Sequence, residues 1–281
     1  MAWHGTLDLR YAVQTHDGTP RCIVRDRHDG PLRVLSALYP EGAQVCHSVI
    51  VHPPGGIAGG DRLDMTVGVE PGAHALLTTP GATRFYRSAG DVASQTVSAT
   101  VASGARLEWL PLETLVYSGA LAESRAVFTL APGGEMIGRD LIALGLPAAD
   151  QAFERGHFLQ QLEIPGVWLE RGRLAAGDAL LMDSPAGLAG HRVLATQWFA
   201  AGQGLEASRR QALLDTAREA AAAFDDAQVL AGCTAPHEPL VVLRALAHRV
   251  EPAMALLNEV WSRWRTLAWG LPGDWPRVWR T

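Results

Sequence analysis

The chain has 281 residues, 48% hydrophobic and 19% charged, with a net charge of −5 at pH 7. A chain of that size builds a core of its own as one large domain or two small ones. Its acidic balance excludes non-specific nucleic-acid binding, which needs a basic footprint.

The first residues carry neither a basic region nor an apolar stretch of the kind that opens a secretory signal, and no run of 18 apolar residues suggests a membrane span. Cys22, Cys46 and Cys233 are widely spaced, without a C-x-x-C pair. That spacing suits a reducing cytoplasm and argues against a disulfide framework or a cysteine-rich zinc site. A cytoplasmic protein is expected.

Leu7, Leu9, Tyr11 and Val13 alternate, which predicts a half-buried strand. A turn at Asp17-Gly18-Thr19-Pro20, a short apolar piece at Cys22-Ile23-Val24 and a second turn at Asp29-Gly30-Pro31 follow. Residues 32–38 read as a further strand. Residues 45–51 read as another, with Cys46, Ser48, Ile50 and His52 on one face and His47 on the other. Cys46 and His52 stand about 20 Å apart at ~3.3 Å per residue, too far to share an ion. His47 is expected as a hydrogen-bonded core histidine.

Residues 52–61 are the most unusual stretch: His52, two prolines, then Gly55, Gly56, Gly59 and Gly60 around Ile57 and Ala58, closed by Asp61. The prolines remove two backbone donors, and the glycines allow positive φ or close approach. A phosphate loop would end in Gly-Lys-Ser/Thr, and the chain has no lysine. The competing readings are a purpose-shaped backbone and a wide loop between strands.

From residue 65 to residue 144 short alternating runs are broken by Pro71-Gly72, Pro80-Gly81, Ser103-Gly104, Ser118-Gly119 and Pro132-Gly133. The irregular spacing gives no fixed repeat. Many short strands mean an all-β body, whether sandwich, barrel or solenoid. The run from Thr78 to Ser88 is either a loop running into an exposed strand or a binding surface through Arg84, Tyr86 and Arg87. Glu108-Trp109-Leu110-Pro111-Leu112-Glu113, two carboxylates beside an aromatic, suggests a Pro-broken edge. Asp140 falls on the apolar face of its strand with Met136, Ile142 and Leu144, and a buried carboxylate there needs a partner or a cation. Glu170 shares a face with Trp168.

Strands are expected at residues 167–174, 179–182 and 192–199. The last third changes character. Ser208 to Gln211 reads as a capping box, Leu213, Ala217, Ala220 and Phe224 as a helical stripe, and Gly232 as its stop. A strand over 240–250 with Arg244 and His248 outward precedes a second helix opened by Glu251-Pro252. Met254, Leu257, Trp261, Trp264 and Ala268 share one helical face. Trp269, Trp275 and Trp279 extend beyond it. So many indoles imply docking, either on the chain's own body or on a partner.

No G-x-S-x-G, H-E-x-x-H or EF-hand loop is present. The residues by themselves reach a β-rich body with C-terminal helices and isolated carboxylates, and no reaction.

A set of blocks, in order, resembles the UreD (UreH) family of urease accessory proteins. They are Thr6-Leu7-Asp8-Leu9-Arg10, Tyr39-Pro40-Glu41, Cys46-His47, the whole of 52–61, and Pro80-Gly81-Ala82-Thr83-Arg84-Phe85-Tyr86-Arg87-Ser88. Leu107-Glu108-Trp109-Leu110-Pro111, Asp140-Leu141-Ile142-Ala143-Leu144-Gly145 and Pro276-Arg277-Val278-Trp279-Arg280-Thr281 complete the set.

The resemblance implies a mainly β, β-helix-like solenoid of many short strands with two C-terminal α-helices. It implies one UreD-type domain over 1–281, with a β body at 1–205 and a helical part at 206–281 packed on it. It implies no catalysis and no tightly bound cofactor. Instead it implies a scaffold that, with UreF and the GTPase UreG, docks on the urease apoprotein and helps insert nickel, with Ni²⁺ in transient passage through an internal tunnel. Carried onto matching positions, Asp61, Thr83, Asp140, Glu170, Glu41 and His52 become the tunnel groups. Gly55, Gly56, Gly59 and Gly60 form a structural loop. Arg84, Tyr86 and Arg87, together with Trp261, Trp264, Trp269, Trp275 and Trp279, become the partner interface. The alternatives are an adaptor that never contacts nickel and a metal-dependent enzyme using Asp61 and Asp140.

Overall fold

A computed structural model of the chain describes residues 2–16, 18–224 and 227–280. The opening hairpin pairs β1 (His4–His16) with β2 (Thr19–Asp29) in antiparallel register. Of the turn expected between them, Asp17 lies outside the described residues, as does Thr281. Only Arg33–Val34 of the strand expected over 32–38 forms as β3, with an isolated bridge from Leu38 to His47.

The chain then winds in coils. The first comprises β4 (Val45–Val51), the Gly-rich loop and β5 (Arg62–Val69). The second comprises β6 (His74–Thr78), β7 (Thr83–Phe85) and β8 (Ala93–Val101), and the third β9 (Arg106–Leu110), β10 (Thr114–Val116) and β11 (Ala120–Leu130). The fourth runs from β12 (Glu135–Leu144) to β13 (Gly156–Ile164). Each coil lies parallel to the one before, so β5, β8, β11 and β13 stack in one sheet and β4, β6, β9 and β12 in another. The architecture is a β-solenoid.

The far end is closed differently. β14 (Trp168–Ala175) returns antiparallel to β13, and the five-residue helix α1 (Ala179–Asp183) follows. The strand expected at 179–182 is therefore a helix. Asp178 caps it by accepting from the Leu181 amide, which favours a turn over an extended run. β15 (Val193–Ala201) crosses to the second sheet, antiparallel to β12. Then come α2 (Ala207–Ala222), β16 (Val229–His237), β17 (Leu240–Ala247) and α3 (Val250–Trp269).

Among the described residues the sheet orders are β14-β13-β11-β8-β5-β1-β2 and β16-β17-β15-β12-β9-β6-β4-β3. Residues beyond 205 thus add two strands to the second sheet besides the two helices, because Val241, Leu243, Ala245 and Ala247 complete the surface on which the helices pack.

Three further readings are corrected. Glu206, not Ser208, caps α2: its carboxylate accepts from the Ser208 and Arg209 amides, and a carboxylate at a helix N-terminus also meets the positive end of the dipole. Gly232 does not stop that helix, which ends at Ala222; it lies in β16. Glu108 is on no edge. It sits in β9 between β6 and β12, fully buried.

The turns that looked irregular in sequence are stacked in space. Ala73, Ala105 and Gly134 each donate to the residue three before, Glu70, Ala102 and Ala131, and Gly72, Gly104 and Gly133 carry φ of +75°, +69° and +82°. The opposite corner is a buried ladder of Ile57, Phe85, Val116 and Leu144, one residue per coil.

The alternating faces of β1, β5 and β8 (Leu7, Leu9, Tyr11; Leu63, Met65, Val67; Val97, Ala99) fill the space between the sheets. A second core lies between the outer face of the second sheet and α2 and α3, around Phe199, Leu213, Leu257, Trp261 and Trp264. Each such side chain contributes about 1.5–3 kcal/mol by leaving water.

Candidate functional site

The Gly-rich loop is the corner rung of the first coil. The Ile57 amide donates to the Arg84 carbonyl at 2.7 Å, and the Tyr86 amide to the Ile57 carbonyl at 3.0 Å. Gly56 lies flat against the Tyr86 ring: a Cβ there would sit 2.2 Å from a ring carbon. At Gly59 it would meet the Ser88 hydroxyl at 2.4 Å. The glycines are thus required by the neighbouring Phe85-Tyr86-Arg87-Ser88 block, and Gly55 and Gly60 turn the chain at φ of +79° and +90°.

Asp61 ends the loop with its carboxylate buried. Oδ1 accepts from the Trp3 amide at 2.7 Å and Oδ2 from the Ala58 amide at 2.9 Å. A cavity of about 250 Å³ opens beside the loop. His52, Thr83, Arg84 and Gly55 line it, and it reaches between the sheets to Met65, Gln95 and Trp109. Burial keeps the His52 imidazole below its ordinary pKa, with the Asp61 charge opposing.

A second polar group lies inside the solenoid at its far end. Asp140 on β12 faces inward as expected, and Arg139 faces the helices. The Asp140 carboxylate accepts from Gln160 Nε2 on β13. Thr196, beside it in register on β15, donates to Glu170 Oε1 at 3.4 Å, and Arg244 Nε donates to Glu170 Oε2 at 2.9 Å. Burial pushes the Asp140 carboxyl up to about 6; the Gln160 bond opposes this and the Glu170 charge adds to it. Arg244 is exposed, as expected, yet its guanidinium reaches Glu170, because it shares its strand face with Leu240 and Val242 between the sheets.

Glu41 belongs elsewhere, to a buried chain of charges under α3. His47 Nε2 is 2.6 Å from Glu41 Oε1, and Arg265 Nη1 is 2.5 Å from Glu41 Oε2. Arg265 Nε is 3.1 Å from Glu108 Oε1, which also meets His74 Nε2 at 2.7 Å. Trp261 Nε1 donates to Glu108 Oε2 at 2.6 Å. Burial by itself would raise the Glu108 carboxyl, but the hydrogen bond and charge of His74 and the charge of Arg265 outweigh it and hold the carboxyl at about 2.

The structure therefore gathers His52, Thr83 and Arg84 at one cavity, with Asp61 behind the loop, and Asp140 with Glu170 at another place. Glu41 is separate from both. Arg87 is exposed, and Tyr86 meets Tyr117 edge-on at 5.1 Å between ring centres. Trp261 and Trp264 are fully buried and Trp269 nearly so, and their indole N–H groups are used internally by Glu108, Leu213 O and Glu135. These three offer no surface to a partner in this structure, because α3 spends them on its own sheet. Trp279 docks on the body too, donating to Thr78 Oγ1 at 2.7 Å and stacking on Arg139. Trp275 is 41% exposed.

Gln95, Gln160 and Thr196 were not singled out in sequence, and Arg244 was read there only as an outward residue. The only signal was a polar residue on an inward strand position. Among the described residues no group of three or more His, Cys, Asp or Glu is arranged to hold a metal ion. What the interior offers is separated carboxylates, Asp61 held by two backbone amides, Asp140 by a carboxamide and Glu170 by Arg244.

Fold and site define a class: a β-solenoid with a helical cover on one sheet and polar groups set between its two sheets. The model of the UreD urease accessory protein family matches residues 4–280. Proteins named Urease accessory protein UreD share 56% identity in Leptothrix cholodnii, with both chains covered in full. The figures are 54% in Polaromonas naphthalenivorans, with 99% of each chain covered, and 53% in Variovorax paradoxus, with both covered in full. The chain belongs to the UreD urease accessory protein family.

Proposed function

We propose that this chain serves urease maturation as a non-catalytic scaffold and nickel conduit. With UreF and the GTPase UreG it binds the urease apoprotein and lets Ni²⁺ pass through its interior toward the urease active site. The observation that supports this reading is the inward placement of Asp140 between two apolar sheets, with Glu170, part-exposed and paired with Arg244, beside it. A carboxylate there costs several kcal/mol, roughly, unless paired, yet among the described residues Asp140 has only a carboxamide to bond it. A route for a divalent cation needs such weakly held oxygens, since tight sites trap the ion; imidazole, as in His52, also suits nickel. GTP hydrolysis falls to UreG, in keeping with the missing phosphate loop in this chain.

Within this reading the compartment is the cytoplasm. Cys22, Cys46 and Cys233 are free thiols, and no helix among the described residues is long and apolar enough to cross a membrane.

The adaptor reading has one observation in its favour: both carboxylate oxygens of Asp61 are occupied by backbone amides, as a structural staple would require. The deciding experiment co-expresses the chain with apo-urease, UreF and UreG, as wild type and as Asp61→Asn/Asp140→Asn. Complexes, urease activity and urease-bound nickel are measured together. Intact complexes with little nickel in urease support the conduit. Normal nickel loading leaves a scaffold only.

A further inference from the structure

The three stacked turns deliver His74, Arg106 and Glu135 into one row on the outer face of the second sheet, paired in register across β6, β9 and β12. Trp269, the last residue of α3, covers the row. Its ring meets His74 edge-on at 5.2 Å, its Nε1 donates to Glu135 Oε2 at 2.7 Å, and the Arg106 guanidinium lies 5.4 Å from its centre. Beside this row is an open cleft of about 470 Å³ whose charged walls are Arg106, Glu135 and Arg209.

Glu135 and Arg209 satisfy each other. Arg209 grips the Glu135 carboxylate with both terminal nitrogens, Nη2 at 3.0 Å, and also donates to the Ala268 carbonyl at 3.1 Å. Arg106 has no such partner: among the described residues its guanidinium forms no hydrogen bond and no ion pair, and it meets the Trp269 ring and the charges of Glu135 and Glu108 from a distance. Its remaining neighbours inward, Glu108 and Arg265, already pair with each other. Burial depresses its basicity, Glu135 opposes that, and the charges of Arg209 and Arg265 add to it. Gly104 and Gly133, at φ of +69° and +82°, leave the mouth of the cleft without side chains.

From this geometry we infer that the cleft is a carboxylate-binding site, with Arg106 as its principal ligand. The reasons are the fork and the charge. A guanidinium presents parallel N–H donors that match a carboxylate, and a half-buried one standing over an indole is already oriented. Two arginines and one glutamate leave the walls with one net positive charge, which suits a monoanion, and Glu135 repels a dianion such as phosphate. The carboxylate belongs either to a small free acid or to an acidic side chain of a bound protein. The inference does not rest on the nickel conduit.

The test uses the whole chain and acetate as probe. At constant ionic strength, acetate is titrated while indole fluorescence is followed in wild type and in Trp269→Phe, whose difference isolates Trp269. A saturable response is expected, weakened at least tenfold in Arg106→Gln and in Arg106→Lys, which keeps the charge and loses the fork; circular dichroism checks that each variant is folded. Phosphate binding tighter than acetate overturns the monoanion assignment. The second arm asks whether folded Arg106→Glu still co-purifies with apo-urease and the accessory partners. Loss of that complex, with no acetate response in wild type, assigns the carboxylate to a partner's side chain. An acetate response unchanged in Arg106→Gln, or none in wild type with the Arg106→Glu complex intact, overturns the inference.

Discussion

Asp61→Asn separates the two roles open to that residue. The carboxylate is 6% exposed and divides its oxygens between the Trp3 and Ala58 amides. Asparagine keeps one acceptor and turns an NH₂ toward the other amide. One charge-assisted hydrogen bond is lost, about 1.5–3 kcal/mol, and one buried N–H is left unpaired, about 1–3 kcal/mol, so a loss of ~2–4 kcal/mol is expected once partial relaxation is allowed. For a chain of this size each kcal/mol lowers the melting temperature by roughly 2–4 °C, giving a drop of about 5–15 °C. Thermal melts measure that drop, and hydrogen exchange at the Trp3 and Ala58 amides locates it. A melt within ~2 °C of wild type, with both amides still protected, refutes the staple. If the drop is found, any urease-activation defect of this variant must be read at a temperature where it stays folded. A defect that persists there belongs to nickel passage, and one that vanishes belongs to folding.

Other consequences follow from the same contacts. The Asp140 carboxyl titrates at about 6 in the fold against an ordinary 3.8, so the fold favours its protonated form. Its destabilisation is absent below about pH 4, grows as pH rises through 6 and is complete above; it is worth at most about 3 kcal/mol. Asp140→Asn should therefore be more stable than wild type in urea at pH 8, and the gap should close toward pH 4; equal stability at pH 8 contradicts the assignment. Glu108→Gln removes one of the two carboxylates that pair the buried Arg265 guanidinium under α3 and leaves it Glu41 alone, at a cost of about 1.5–3 kcal/mol. Its urea midpoint should fall sharply, and an unchanged midpoint refutes the charge chain. Gly56→Ala drives a methyl into the Tyr86 ring, so partial proteolysis should open the loop first at residues 52–61, with the helices intact.

The alternation of Leu7, Leu9 and Tyr11, the inward Asp140 and the indole stripe of α3 were legible in the sequence, because a period of two or of three and four tells which face is buried without saying against what. The Gly-rich loop was visible as unusual backbone for the same local reason. Its necessity was not, since the ring of Tyr86 and the hydroxyl of Ser88 arrive from another coil. Likewise Glu108 looked like an edge residue beside Pro111, and only stacking between β6 and β12 makes it a central one.

Cap choice at α2 turned on which carboxylate reached two amides, Glu206 rather than the Ser208 box, and that is set by how the chain enters the helix from β15. The stacked turns at Gly72, Gly104 and Gly133 escaped a search for a period because the coils differ in length, though hydrogen bonding makes them equivalent. By itself the sequence determined the β-rich class, the family blocks and the residues that must be buried. Which buried polar groups meet, Asp140 with Gln160, Glu170 with Arg244, Glu41 with Arg265, was decided only by the tertiary structure, because those partners are far apart in sequence and a solenoid brings them together by coil register rather than by local spacing.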